Sequence, residues 1–168
     1  GTIMPSGYVN DMGGHRYVEN YIGLGSVWRG STAFFLSTIF DAFGRVGLRE
    51  PLQEFLHGVG CGACNQVLAG SRYFHDLWAD GTPYHPDVRY TNILTRYDEI
   101  VTPYTSGYVE APNATNHVVQ DHCELDLSEH LSIVTSPVAR DLVLAALAPE
   151  EGREVGCSFV PPVTTLHS

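Results

Sequence analysis

Alternating polar and apolar positions mark residues 88–97 as a strand. Tyr90, Asn92, Leu94 and Arg96 fall on one face, and Arg89, Thr91, Ile93 and Thr95 on the other. β-branched and aromatic residues dominate, and Pro86 and Asp87 punctuate the start. A short apolar run at 18–24, stopped by Gly25-Ser26, predicts a buried strand, and NHVVQ at 116–120 predicts a third. Helical spacing appears at 1–12, where Ile3, Met4, Tyr8, Val9 and Met12 recur before Gly13-Gly14. Pro5 inside that pattern is tolerable in a first turn. Residues 64–69 and 71–79 read as short helices broken by Gly70 and Gly81. The clearest helix spans 137–148, with Ser136 as N-cap, Pro137 at the first helical position and Pro149 beyond the end. Strands alternating with helices predict an α/β fold with a parallel sheet.

Two stretches stand apart. From 28 to 60, Phe34, Phe35, Leu36, Ile39, Phe40 and Phe43 form an apolar stripe, and Leu52, Phe55, Leu56 and Val59 follow Pro51. These residues are either core or a helical cap over an apolar pocket. The tail from 150 to 168 carries Pro161-Pro162 and no periodicity, which predicts a surface strap.

The chain of 168 residues is long enough for one domain with its own core. A net charge of −10 argues against nucleic acid and against docking on anionic lipid headgroups. No apolar run is long enough to span a membrane. The four cysteines are Cys61, Cys64, Cys123 and Cys157. A zinc site would need two further ligands, such as His122 with Cys123, at a spacing that fits no standard finger. A redox reading of Cys61-Gly62-Ala63-Cys64 lacks a preceding strand. Two disulfides in an oxidising compartment are the better reading, and one of them pins the tail if Cys157 bonds Cys123. Asn113-Ala114-Thr115 matches a glycosylation sequon.

The candidate chemistry lies at strand exits. Asp98 follows the strand at 88–97, and His130 lies in a polar loop after the strand at 116–120. In open α/β sheets the ligand site lies beyond the carboxyl ends of the strands. An acid followed by a histidine, each leaving a strand, is the last part of the Ser…Asp…His order of α/β hydrolases. Asp121 and Asp126 are rivals to Asp98. Glu99 reads as solvated, and the other seven histidines as surface or supporting groups.

Here TNILTRYDEIVTPYTSGY and PNATNHVVQDHCELDLSEHLSIVTSPVARDLVLAALAP resemble the C-terminal part of bacterial class 2 secreted triacylglycerol lipases. CGACNQVLAGS is similar to a cysteine-containing segment of the same family, and 97–103 also resembles the acid loop of the fungal lipase B type. The resemblance implies an α/β-hydrolase fold over 1–168, with 28–60 as a cap insertion and 150–168 as a C-terminal strap. It implies Asp98 as triad acid, His130 as triad base, no cofactor and a lipid or small-ester substrate. It pairs Cys123 with Cys157 and leaves Cys61 for Cys64. It also sets the 25–30 loop beside the site, with Trp28, Phe34, Phe35 and Phe40 lining the acyl pocket.

No G-x-S-x-G occurs in the 168 residues. The family's elbow, roughly G-H-S-Q-G-G, runs into a helix containing M-P, and Gly1-Thr2-Ile3-Met4-Pro5 fits directly after it. The resemblance therefore sets the nucleophile in a preceding N-terminal half and predicts an inactive chain on its own. Ser6, Ser26 and Ser106 each neighbour a glycine but lack a strand–elbow–helix context. Two other readings stand beside the hydrolase: a lipid- or partner-binding module built on the Phe-rich segment, and an acyltransferase with the same triad.

Overall fold

The computed structural model describes residues 2–32 and 64–162. Three strands, β1 (Asn20–Leu24), β2 (Arg89–Leu94) and β3 (Ala114–Val118), form a parallel sheet in the order β1-β2-β3. Tyr21, Ile22 and Leu24 lie beside Tyr90, Thr91 and Ile93, and Tyr90, Asn92 and Leu94 lie beside Ala114, Asn116 and Val118. The strand expected at 88–97 stops at Leu94, because Thr95 turns the chain into a loop. The strand expected at 116–120 sits two residues earlier, and its last residues open a short helix.

The helices are α1 (Ile3–Asp11), α2 (Cys64–Val67), α3 (Arg72–Leu77), α4 (Val119–His122) and α5 (Pro137–Leu147). Pro5 falls in the first turn of α1, where its missing N–H costs no hydrogen bond. In α5 the Ser136 hydroxyl caps the helix by accepting the Ala139 N–H at 3.0 Å, with Pro137 leading.

A parallel sheet needs both faces covered, and here the two covers differ in chemistry. On one face Val9 of α1 packs with Tyr21, Trp28, Tyr84, Val88, Tyr90 and Val109. The rings of Tyr84 and Tyr90 stack at 4.0 Å, and Trp28 stands edge-on to both. At the centre of that face, the buried Asn92 accepts the Trp28 Nε1–H at 2.7 Å. Its own amide donates to the Tyr84 hydroxyl at 2.6 Å and to Asn116 at 2.8 Å. These bonds offset the cost of burying polar groups. On the other face Ile93, Val119, Ile133, Val138, Ala139 and Leu142 make an aliphatic core beneath α5.

The pocket role expected of Trp28 is corrected here. Its side chain is fully buried, and its indole N–H is consumed by Asn92, so it is a core residue. Phe34, Phe35 and Phe40, and the cap from residue 33 onward, lie outside the described residues. So does Cys61, and the side chain of Cys64 is likewise not described.

Cys123 and Cys157 form a disulfide with their Cα atoms 5.1 Å apart. It draws the described part of the tail back against the sheet. There Val160 exchanges backbone hydrogen bonds with Leu125 and Leu127, and Gly156 N–H donates to Asp141. Among the described residues no helix is long and apolar enough to cross a membrane.

Candidate active site

The carboxyl ends of β1, β2 and β3 share one rim of the sheet, and three loops leave it. After β2, Thr95 to Val101 form the acid loop. Asp98 Oδ1 accepts the N–H groups of Ile100 (3.0 Å) and Val101 (2.6 Å), an Asx-type turn that fixes the carboxylate. Asp98 Oδ2 accepts from His130 Nδ1 at 2.8 Å. The Asp98 side chain is almost fully buried, whereas the His130 ring is 24% exposed. A carboxylate accepts, so the proton resides on Nδ1 and Nε2 carries the lone pair. No described residue hydrogen-bonds Nε2. The bond from Asp98 raises the His130 pKa above the ordinary histidine value, burial opposes it, and the charges of Asp98 and Glu99 add to the rise.

A network then joins the acid loop to the histidine loop. Gln120, from α4, donates to the Thr95 hydroxyl at 3.0 Å and to the Asp126 carbonyl at 2.9 Å, and accepts the Arg96 N–H at 2.9 Å. The Thr95 hydroxyl donates to the Ser128 carbonyl at 2.6 Å. Asp126 is fully buried, accepting the Ser128 N–H at 2.9 Å and the Ser136 hydroxyl at 2.5 Å. It is therefore a scaffold for the histidine loop, not a rival acid. Asp121, the other rival, is exposed and pairs with Arg96.

Glu99, expected in solvent, instead accepts the His130 backbone N–H at 3.2 Å. Glu129 is buried and accepts the N–H groups of Leu131 and Ser132 at 2.7 and 3.4 Å. Burial pushes its carboxyl up, but these donors and the Ser132 hydroxyl outweigh burial and leave it below the ordinary glutamate value. The acid loop thus supports the histidine from its side chain and from its backbone.

The third loop comes from β1. Gly25 has φ +57°, and a Cβ there would lie 3.0 Å from His130 Nδ1 and 3.3 Å from Asp98 Oδ2. Only glycine allows this backbone shape and this approach to the dyad. The next residue, Ser26, is fully buried, with its hydroxyl in the space where a Gly23 side chain would stand. Ser6 and Ser106 are also buried, and none of the three bonds His130.

Compared with known proteins, the chain matches no family model and no curated sequence. Its site is read from its own geometry. Asp98 and His130 were legible as residues at strand exits. The supporting roles of Gln120 and Glu99 were missed. Gly25 was read as a stop and as part of the 25–30 loop, but its close approach to the dyad carried no signal in the sequence.

Proposed function

We propose that this chain carries the acid and base of a carboxylic ester hydrolase acting on acyl esters. The observation that carries the reading is the 2.8 Å bond between His130 Nδ1 and the buried, turn-fixed Asp98 carboxylate. It leaves an imidazole with one free lone pair on a partly exposed ring. In this reading His130 Nε2 takes the proton of a serine hydroxyl as that oxygen attacks the ester carbonyl. Asp98 retains the Nδ1 proton and stabilises the imidazolium. Nε2 then returns the proton to the leaving alcohol, and a water repeats the sequence on the acyl-enzyme. With an alcohol in place of water, the same groups perform acyl transfer.

The nucleophile comes from outside the described residues. Thr2 at the head of α1 accepts the Val27 N–H at 3.3 Å, two residues from the glycine that touches the dyad. A turn leading into α1 would therefore deliver its hydroxyl beside His130. Ile100, Leu131 and Val134 flank the two dyad residues in sequence with exposed apolar side chains, in keeping with an acyl substrate. The wider assignment follows: an α/β-hydrolase fold, a cap within 28–60, and secretion, with which the Cys123–Cys157 disulfide is compatible.

The test is fluorophosphonate labelling of the chain extended by the sequence that precedes it in its gene. The account expects one serine to be labelled in the extended protein, with labelling abolished in H130A. No labelling of the extended protein, or labelling indifferent to H130A, would overturn it. A partner-binding module is the second reading, favoured by the outer side of β1, which no described strand pairs. It predicts saturable partner binding by the unextended chain and no labelling in either form.

A further inference from the structure

The opposite rim of the sheet, at the amino ends of the strands, carries a second cluster. His15 sits in the 3-10 turn Gly14–Arg16 that follows α1, and His85 and Asp87 sit in the loop entering β2. Each offers one ligand atom, and the three atoms lie within 4.8 Å of one another. The two imidazoles stack face to face, with centroids 3.9 Å apart and planes 7° from parallel. The stack brings both rings to Asp87, and a shared ion would turn them out of parallel, because each nitrogen lone pair lies in its own ring plane.

Both rings are held before any ligand arrives. His15 Nδ1 lies 3.2 Å from the Val9 carbonyl. A carbonyl only accepts, so Nδ1 carries the proton and Nε2 keeps a lone pair. A backbone carbonyl on the far nitrogen is how metal-ligating histidines are commonly oriented. His85 is pinned through its backbone: its N–H donates to the Tyr90 hydroxyl at 3.0 Å, and its carbonyl accepts from Asn113 at 3.0 Å. The Asn113 amide also donates to the Val88 carbonyl, so the sequon residue works as a clamp. His85 Nδ1 accepts the Asp87 N–H at 3.2 Å and lies 3.8 Å from Asp87 Oδ2. An ion bound there would take that lone pair in place of the Asp87 N–H, with the carboxylate close enough to join it. Next to His85, a groove of about 550 Å³ is lined by Asp11, Asp76 and Asp80, in a chain of net charge −10. The local field favours a cation.

We propose that His15, His85 and Asp87 bind a divalent transition metal, with zinc as the best fit. Two imidazoles and a carboxylate are a borderline donor set suited to zinc, and three protein ligands leave a fourth position to water. The site is separate from the dyad. The two lie at opposite ends of β2, a six-residue strand of about 20 Å. A metal there clips the turn after α1 to the loop entering β2, and so fixes the aromatic face of the sheet from below.

Isothermal titration of the full, untagged chain with zinc tests this. One equivalent should bind, and H15A and H85A should each weaken binding at least tenfold, with D87N weakening it too. The competing site is His117 with His122, whose ring nitrogens lie 3.3 Å apart with no carboxylate in the same reach among the described residues. H117A should leave the titration unchanged. A second measurement needs no variant: cobalt added to the wild-type chain should broaden amide signals of residues 13–17 and 85–89. The proposal is overturned by an absence of saturable binding, by binding that H117A weakens and H85A does not, or by broadening centred on His117 and His122.

Discussion

Asp98 is fixed by its own loop, whereas the histidine loop adds to its internal bonds ties from well outside it. Within 95–101, Asp98 is fixed by the N–H groups two and three residues ahead, and Tyr97 N–H donates to the Thr95 hydroxyl two residues behind. Within 123–136, Asp126 and Glu129 bond their own loop, and further ties come from Gln120, from Thr95 across the site, from Val160, and from Cys157, 34 residues beyond Cys123. A carboxylate is positioned by a short turn that the sequence encodes locally. An imidazole on a longer loop needs partners that only the fold brings together. The two designs meet at the Asp98–His130 bond.

Breaking that bond should have the largest effect. D98N, in a protein that also holds the nucleophile, should lower kcat for ester hydrolysis by about 10⁴-fold, because an amide stabilises the wrong tautomer and cannot stabilise the imidazolium. Steady-state kinetics on a p-nitrophenyl ester would measure it. Next comes the strap. Replacing Cys123 and Cys157 together by alanine releases a loop closed across 34 residues and should cost roughly 4 kcal/mol by chain entropy. Urea unfolding would show it, and the loss should be accompanied by exchange of amides in 123–136 well before those in 95–101. Gln120→Ala should follow at roughly 2–3 kcal/mol, since it strands buried partners on both loops. The same readout applies.

These expectations rest on parts of the molecule that were unequally legible in the sequence. Alternation at 88–97, the Ser136-Pro137 cap and the glycine stop after β1 are local signals, and each element formed within a few residues of its expected place. Asp98 and His130 stood out because strand exits are where an α/β sheet presents chemistry. Trp28 did not: a resemblance that sets the 25–30 loop beside the site cannot tell an indole that lines a pocket from one whose N–H is met by an asparagine 64 residues away. Glu99 looked like a solvated neighbour because its partner is the backbone of residue 130. Gln120 was hidden for the same reason, as its contacts connect positions 95, 96 and 126.

The smallest effect is on pH dependence. The His130 pKa is raised in the folded chain by Asp98. Its contribution to stability is therefore complete below the unfolded value of about 6.5 and is lost as pH rises through the folded value. For catalysis the base must be neutral, so the acid limb of kcat/KM should lie above about 6.5. NMR titration of the His130 ring should give a midpoint above that value in the wild-type chain and a lower one in D98N. An unchanged midpoint in D98N would separate the two loops.

The most direct test of the central claim is p-nitrophenyl butyrate hydrolysis by the chain extended through its preceding sequence, comparing the parent with H130A. The account predicts turnover in the parent and background rates in H130A. Turnover that survives H130A would show that the base lies elsewhere and would contradict it.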